Sequence, residues 1–260
     1  MNVLSQFSLK GKVAIITGGY SHLGQEMTKA LYEAGATVIV FGKSDAKFQK
    51  CFSKSNEKIC FMKVDIASLA SIKKGFKSVQ KLHGGIDILI NNAIYLKQNF
   101  LEKMSDSEWE MGIDGVLNSV FRCIKECIPY LKQSKEASII NISSMYGLVS
   151  PDFNLYANTS TPPNPANYGA AKAAVIQLTR YCSVYLAKYP IRVNCISPGP
   201  FPSKEVQNDK MFIKNICKKT PLGRIGKPDE LKGAIVFLAS RASSFMTGQN
   251  IVIDGGWTAI

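Results

Sequence analysis

Histidine is nearly absent: His22 and His83 are the only two in 260 residues. Zinc sites and histidine-based triads need imidazoles brought together, so neither is expected, and no metal site is assigned. The seven cysteines (Cys51, Cys60, Cys123, Cys127, Cys182, Cys195 and Cys217) are odd in number and form no CxxC pair. That usage suits free, mostly buried thiols in a reducing compartment. Long apolar runs are missing as well. Ala234–Ala239 is far short of the ~20 residues a membrane helix needs, and Met1–Lys12 has no apolar signal segment. A cytoplasmic chain with no membrane partner is expected. Arginine is scarce, so the net charge of +13 is carried mainly by lysine. The lysines are scattered, with only pairs such as Lys73-Lys74 and Lys218-Lys219. No basic block interleaved with aromatics appears, so no nucleic-acid partner is expected. The positive excess favours an anionic small molecule or an acidic carrier protein.

What is present is a regular alternation of short β-rich apolar runs and longer helical patterns, the signature of βαβ units around a parallel sheet. Strands are predicted at Val13–Thr17, Thr37–Phe41, Ile59–Val64, Ile86–Ile90, Ala137–Ile142, Ile191–Cys195 and Ile251–Ile253. Helices are predicted at about Leu23–Ala34, Ser68–Leu82, Asp106–Lys132 and Asn167–Lys188, with a poorly marked one between the second and third strands. Gly35 and Gly84-Gly85 stop two of them. Pro151–Asn167 is rich in Pro and Asn and is predicted to be irregular. No repeat or linker divides the chain, which reads as one α/β domain over residues 1–260. A domain of that size buries roughly 70–75% of the surface its unfolded chain exposes and needs no staples.

Val13–Ile16 is a continuous apolar run, as a strand covered on both faces requires. It leads into Thr17-Gly18-Gly19-Tyr20-Ser21-His22-Leu23-Gly24, a glycine-rich turn opening a helix. Backbone N–H groups and the helix dipole favour a pyrophosphate there. The turn resembles the TGxxxGxG motif of the short-chain dehydrogenase/reductase family, and the resemblance extends over almost the whole chain. It implies a Rossmann-like, doubly wound parallel sheet of about seven strands, order 3-2-1-4-5-6-7, with helices on both faces. The middle glycine is His22, whose side chain either crowds the backbone's approach to phosphate or donates to an anionic oxygen. By resemblance, Gly18, Tyr20, Ser21, His22, Leu23 and Gly24 bind cofactor. Asp65-Ile66 resembles the adenine-contacting pair of the family. Asn91-Asn92-Ala93 resembles its NNAG motif, with Ile94 in place of the glycine, and Asn92 and Ala93 are assigned to the cofactor groove. An acid after the second strand would bond the ribose 2′-hydroxyl of NAD. This chain has Phe41-Gly42-Lys43-Ser44 instead. Lys43 suits a 2′-phosphate, so NADP(H) is expected, with NAD(H) as the alternative.

Tyr168-Gly169-Ala170-Ala171-Lys172 resembles the YxxxK motif of the family. Residues four apart share a helix face, which points phenol and ammonium into one site. A free tyrosine titrates near pH ~10, and a nearby ammonium is expected to lower that value. The resemblance implies that Tyr168 exchanges a proton with the substrate oxygen, Lys172 bonds the nicotinamide ribose and Ser144 polarises the carbonyl. Pro198-Gly199 resembles the PG motif, and Ser203 lies where the family contacts the nicotinamide carboxamide. Val116 stands where the family has an asparagine whose backbone helps hold a relay water. Thr247-Gly248 and Asp254-Gly255-Gly256 resemble the family's ending, implying a homotetramer or homodimer.

Between Ser144 and Tyr168 the stretch 145–167 is longer than the family's usual loop. Loops so placed build substrate pockets. Its Asn, Thr, Asp and Tyr groups suit a polyhydroxylated ligand. It also resembles relatives found with bacterial flagellin-modification and surface-polysaccharide pathways. The expected activity is hydride transfer between nicotinamide and a ketone or secondary alcohol, of a sugar or nucleotide-activated sugar. The alternatives are a nucleotide-sugar dehydratase or epimerase using its cofactor transiently, and a non-catalytic nucleotide-binding relative.

Overall fold

The computed structural model describes residues 2–52 and 58–260. Seven parallel strands form one sheet in the order β3-β2-β1-β4-β5-β6-β7. They are β1 (Val13–Thr17), β2 (Thr37–Gly42), β3 (Ile59–Lys63), β4 (Ile88–Asn91), β5 (Ala137–Ile142), β6 (Ile191–Pro198) and β7 (Asn250–Ile253). The helices are α1 (Gly24–Glu33), α2 (Asp45–Phe52), α3 (Leu69–His83), α4 (Asp106–Ile113), α5 (Ser119–Leu131), α6 (Ala166–Leu186), α7 (Lys210–Lys219) and α8 (Lys232–Ala239).

Neighbouring residues of one strand point to opposite faces, and the two halves of the core follow from this. Ile15, Ile39 and Leu89 face Phe76, Ile124 and Val175 on the side of α3, α5 and α6. Ala14, Ile16, Val38 and Ile88 face Met27, Leu31, Ile235 and Leu238 on the side of α1 and α8. Both faces are covered, which is why these strands read as unbroken apolar runs. The order reverses between β1 and β4, and the crevice beyond their carboxyl ends is where open α/β sheets bind ligands.

Two features depart from the expected elements. The single helix expected over Asp106–Lys132 is interrupted by a π-helical turn, Asp114–Asn118. There the carbonyl of Tyr95 approaches so closely that a Cβ on Gly115 would lie 1.7 Å from it, and the helix widens to let it in. Arg122 and the Tyr95 hydroxyl both bond Asp114 at this turn.

The second departure is the stretch expected to be irregular. It includes a short 3₁₀ turn, Phe153–Tyr156, and is docked rather than free. Leu155 packs with Met145, Phe212, Ile216 and Trp257. The Tyr156 and Phe212 rings lie 5.0 Å apart, and Lys219 pairs with Asp152 at 2.7 Å. The main fastening is the Asp209 carboxylate. Its Oδ1 caps α7 by accepting the Phe212 N–H. Its Oδ2 accepts both the N–H and the hydroxyl of Ser160 and of Thr161, at 2.7 to 2.9 Å. Those bonds hold its pKa well below the ordinary aspartate range. The contribution to stability is therefore present above that range and is lost as pH falls through the lowered value.

Asp209→Ala is expected to release residues 151–165 from α7 and make them the first site of limited proteolysis. An unchanged digestion pattern would show that the clamp is dispensable.

Candidate functional site

Gly18 adopts φ +65° and donates its N–H to the Phe41 carbonyl at 2.7 Å, which seats the turn on β2. Asn92 fixes the turn from the other side. Its Nδ2 donates to the carbonyls of Thr17 and Gly18 at 2.9 and 3.1 Å and reaches Ser21 Oγ at 3.3 Å. The Thr17 hydroxyl accepts the N–H groups of Asn92 and Ala93, each at 3.0 Å. A Cβ on Gly24 would lie 2.3 Å from the Gly18 carbonyl, so this close turn demands glycine there. Leu23 precedes α1 without a side-chain cap. Ser21 meets the first donors, its Oγ accepting the Gly24 N–H at 3.3 Å and its carbonyl the Gln25 N–H at 3.0 Å, while the helix dipole still favours an anion at this end.

His22 does not close the turn. Its Nε2 is buried and makes no hydrogen bond among the described residues. A buried polar atom without a partner is costly, and an anionic oxygen at this turn would supply the acceptor. The Ser203 hydroxyl bonds the Glu205 carboxylate and lowers its pKa, with a smaller contribution from the nearby His22. The loop after β6 thus reaches back to the turn. Tyr20 takes another part: its hydroxyl accepts the N–H groups of Lys43 and Ser44 at 3.1 and 3.2 Å. Lys43 is exposed at the carboxyl end of β2. Asp65 Oδ1 accepts the Ala67 N–H at 3.0 Å, and Ile66 belongs to the core. Ile94 is exposed, while Val116 is buried in the π-helical turn.

At the other end of the crevice, Ser144 follows β5, and Tyr168 and Lys172 stand one turn apart on α6. The Ser144 side chain engages the Tyr168 phenol. Lys172 is buried, and its Nζ donates to the Ile142 carbonyl at 2.6 Å and lies 5.5 Å from the centre of the Tyr168 ring. The expected lowering of the tyrosine pKa is not what this geometry gives. Burial raises it, and the Ser144 bond opposes only part of the rise. The reason is mutual: the ammonium is itself desolvated, and its pKa is pushed down to about 8.

Asn91 belongs to a motif whose resemblance implies a stabilising role in the central sheet, whereas the positioning roles of Asn141, Thr179 and Asn167 were not legible in the motifs. Asn91 Nδ2 donates to Asn141 Oδ1 at 2.8 Å, and Asn141 Nδ2 donates to Thr179 Oγ1 at 2.9 Å, a buried chain linking β4, β5 and α6. Asn167, beside Tyr168, donates to the Glu108 carbonyl at 2.9 Å and fixes the start of α6 to α4. Its immediate adjacency to the YxxxK tyrosine was the one available signal.

A cleft of about 300 Å³ opens over Ser144 and Tyr168, with Gln98, Tyr156, Asn164 and Phe201 among its walls. Gly199 lines it too and must be glycine, since a Cβ there would lie 2.4 Å from Asp254. Much of the polarity of the inserted stretch is spent elsewhere. Asp152, Thr159, Ser160 and the Thr161 hydroxyl tie the stretch to itself, to α7 or to its cap Asp209, leaving Tyr156 and Asn164 to face the cleft. Among the described residues, no group of three His, Cys, Asp or Glu side chains is placed to hold a metal ion, and no helix is long and apolar enough to cross a membrane.

Comparison with known proteins gives the same picture. A family profile described as Enoyl-(Acyl carrier protein) reductase matches residues 19–258. The 3-oxoacyl-[acyl-carrier-protein] reductase of Thermotoga maritima is 34% identical over 253 residues, 95% of this chain and 98% of that protein. Sorbose reductase of Candida albicans is 35% identical, over 99% of this chain and 90% of its own length. A gluconate 5-dehydrogenase from Burkholderia cenocepacia, solved with NADP and tartrate, superposes with a TM-score of 0.88 at 30% identity, covering all of both chains. With the sheet order, the glycine turn and the Ser144, Tyr168 and Lys172 cluster in place, this chain belongs to the short-chain dehydrogenase/reductase family of oxidoreductases.

Proposed function

We propose that this protein is an NADP-dependent oxidoreductase acting on a ketone or secondary alcohol of a small, hydroxylated, sugar-like molecule. The observation that carries the reading is the convergence of Ser144 and Tyr168 in one cleft, with Lys172 buried beneath. The bound nicotinamide supplies or accepts the hydride. In the reducing direction Tyr168, kept protonated by its raised pKa, gives its proton to the substrate oxygen, while the Ser144 hydroxyl holds that oxygen as charge develops on it. Lys172 steadies the phenolate that results.

NADP is favoured by Lys43 at the end of β2, where no acid stands to meet a ribose hydroxyl. The gluconate 5-dehydrogenase, with NADP bound, supports the same cofactor. The orphaned Nε2 of His22 suits a cofactor phosphate oxygen, so the turn accommodates this departure as a donor. Gly18, Tyr20, Ser21, Leu23, Gly24, Asn92 and Ala93 complete the groove, and Pro198, Gly199 and Ser203 its far end. Asp65 and Ile66 act through their loop, since the carboxylate caps it and the isoleucine is core. Gln98 and Asn164 supply donors and acceptors for hydroxyls. The cleft lies at the lower end of the ~300–1,000 Å³ range of ligand pockets, which favours a free molecule over one carrying a nucleotide. Exposed Phe121, Tyr181, Val184 and Tyr185 on α5 and α6 support self-association. The absence of any disulfide among the described cysteines is in keeping with the cytoplasm.

Tyr168→Phe is expected to lower kcat by at least about a thousandfold with a melting temperature within a few degrees of wild type; a retained rate would remove Tyr168 from the chemistry. The depressed pKa of Lys172 gives a pH signature. Because its folded value is about 8, the unfolded chain holds this proton to higher pH. Folding therefore gains stability as pH rises from about 8 toward ~10.4. Over the same interval the ammonium is lost, so kcat/KM for carbonyl reduction should fall above about pH 8. Lys172→Met should lose the alkaline gain in melting temperature, and a pH-independent difference between the two proteins would contradict the assignment. In a fluorescence titration, His22→Gly should weaken NADPH by about tenfold. Lys43→Ala should weaken NADPH but not NADH. Equal losses for both cofactors would argue against a 2′-phosphate at Lys43.

A further inference from the structure

Among the described residues that line the cleft over Ser144 and Tyr168, none is a lysine, arginine, histidine, aspartate or glutamate. Its polar walls are neutral. They are the carboxamide residues Gln98 and Asn164 and the pair Tyr146 and Tyr156, whose hydroxyls bond each other at 3.2 Å. The loop after β6 and α7 add apolar surface through Phe201, Val206, Phe212 and Ile216. Lys172 is buried beneath, with its Nζ given to the Ile142 carbonyl, and does not line the cleft.

The charge just behind this wall has the wrong sign for an anion. Thr161 lines the cleft, and its N–H and hydroxyl both donate to Asp209 Oδ2 at 2.9 Å. All five donors that meet the Asp209 carboxylate are neutral, so they stabilise its negative charge without cancelling it. At the other end of α7, Lys219 is already paired with Asp152. Lys210 reaches the Gln207 carbonyl in an exposed bond. The positive surplus of the outer surface is screened over about 8 Å at physiological salt. A carboxylate or phosphate in the cleft would therefore lose water, meet no cation in the wall and face a like charge one residue away. Uncharged hydroxyls meet none of these costs, and the C–H faces of a sugar suit the apolar wall. We infer that the cleft selects an uncharged substrate, a ketose or the matching polyol, and rejects sugar acids and sugar phosphates. The inference rests on the carbonyl-reductase reading above and adds the charge of the substrate to it. Asp209 gains a second part, as a fixed negative charge that discriminates as well as fastens.

Two matched pairs of ketones test this by NADPH consumption. L-Sorbose and 5-keto-D-gluconate are alike around the ketone and differ in a hydroxymethyl group against a carboxylate at the far carbon. Dihydroxyacetone and its phosphate form the second pair. The neutral member of each pair should show a kcat/KM at least about thirtyfold higher. Gln98→Arg, which sets a cation in the wall from an exposed position, should move that ratio toward the charged members by at least about tenfold. Equal use of the two members, or preference for the charged one, would overturn the inference and leave the proposed activity standing. A neutral preference that Gln98→Arg leaves unmoved would place the selection outside this wall and overturn it as well. No NADPH consumption with any of the four, under conditions where NADPH binds, would count against the activity and the inference together.

Discussion

An ammonium kept almost wholly out of water is costly, and the arrangement around Lys172 shows what offsets that cost. One carbonyl, that of Ile142 at the end of β5, accepts from Nζ at 2.6 Å. The rest of the penalty appears as a pKa pushed down to about 8. The lysine can be held this way only if α6 lies at a fixed depth against β5. The Ser143 hydroxyl donates to the Lys172 carbonyl at 2.7 Å. A side chain on Gly147 would strike the same backbone at 2.7 Å. Three buried side chains, Asn91, Asn141 and Thr179, bridge the sheet to the helix two turns further on. Asn91 Oδ1 has no partner among the described residues. The two side-chain bonds still tie β4, β5 and α6 together, which helps to set α6, with Tyr168 and Lys172, against the end of β5.

The periodic parts of this architecture could be read from residues alone. A strand buried on both faces must be continuously apolar, so Val13–Ile16 and Ala137–Ile142 announced themselves. The four-residue spacing of Tyr168 and Lys172 forced them onto one face of α6. What escaped was set by contacts between distant segments. The break at Asp114–Asn118 is imposed by a carbonyl from the loop after β4 pressing on Gly115, and no local preference in Asp-Gly-Val-Leu-Asn encodes it. The inserted stretch has turn-forming composition, yet Asp209, nearly fifty residues away, fastens it. The tyrosine pKa was misjudged for a related reason. Spacing gives the distance between two groups but not their burial, and here burial decides the sign.

The three positions that depart from the family's pattern have separate physical consequences. Ile94 is exposed and disturbs nothing that the turn at Gly18 requires. Val116 is buried in a widened turn whose backbone is fixed by its neighbours, through Asp114, Arg122 and Gly115. A role carried by main-chain atoms is compatible with valine there. His22 differs in kind because it adds a donor where glycine adds only space. Its neighbour Glu205 sits on the loop that also carries Ser203, so the turn and that loop lie side by side.

The inserted stretch is built into the wall of the cleft over Ser144 and Tyr168. It contributes Met145, Tyr146, Tyr156, Thr161, Pro162 and Asn164 to that wall, and its Asp152 carboxylate and the Ser160 and Thr161 hydroxyls hold it to Lys219 and Asp209. A wall tied at Asp152, Leu155, Ser160 and Thr161 has little freedom to adapt to its ligand. Discrimination must then come from the shape already present. A ligand polar group set against an apolar part of that wall would be left unpaired, which is costly, so the way the insertion docks decides which shapes the cleft admits.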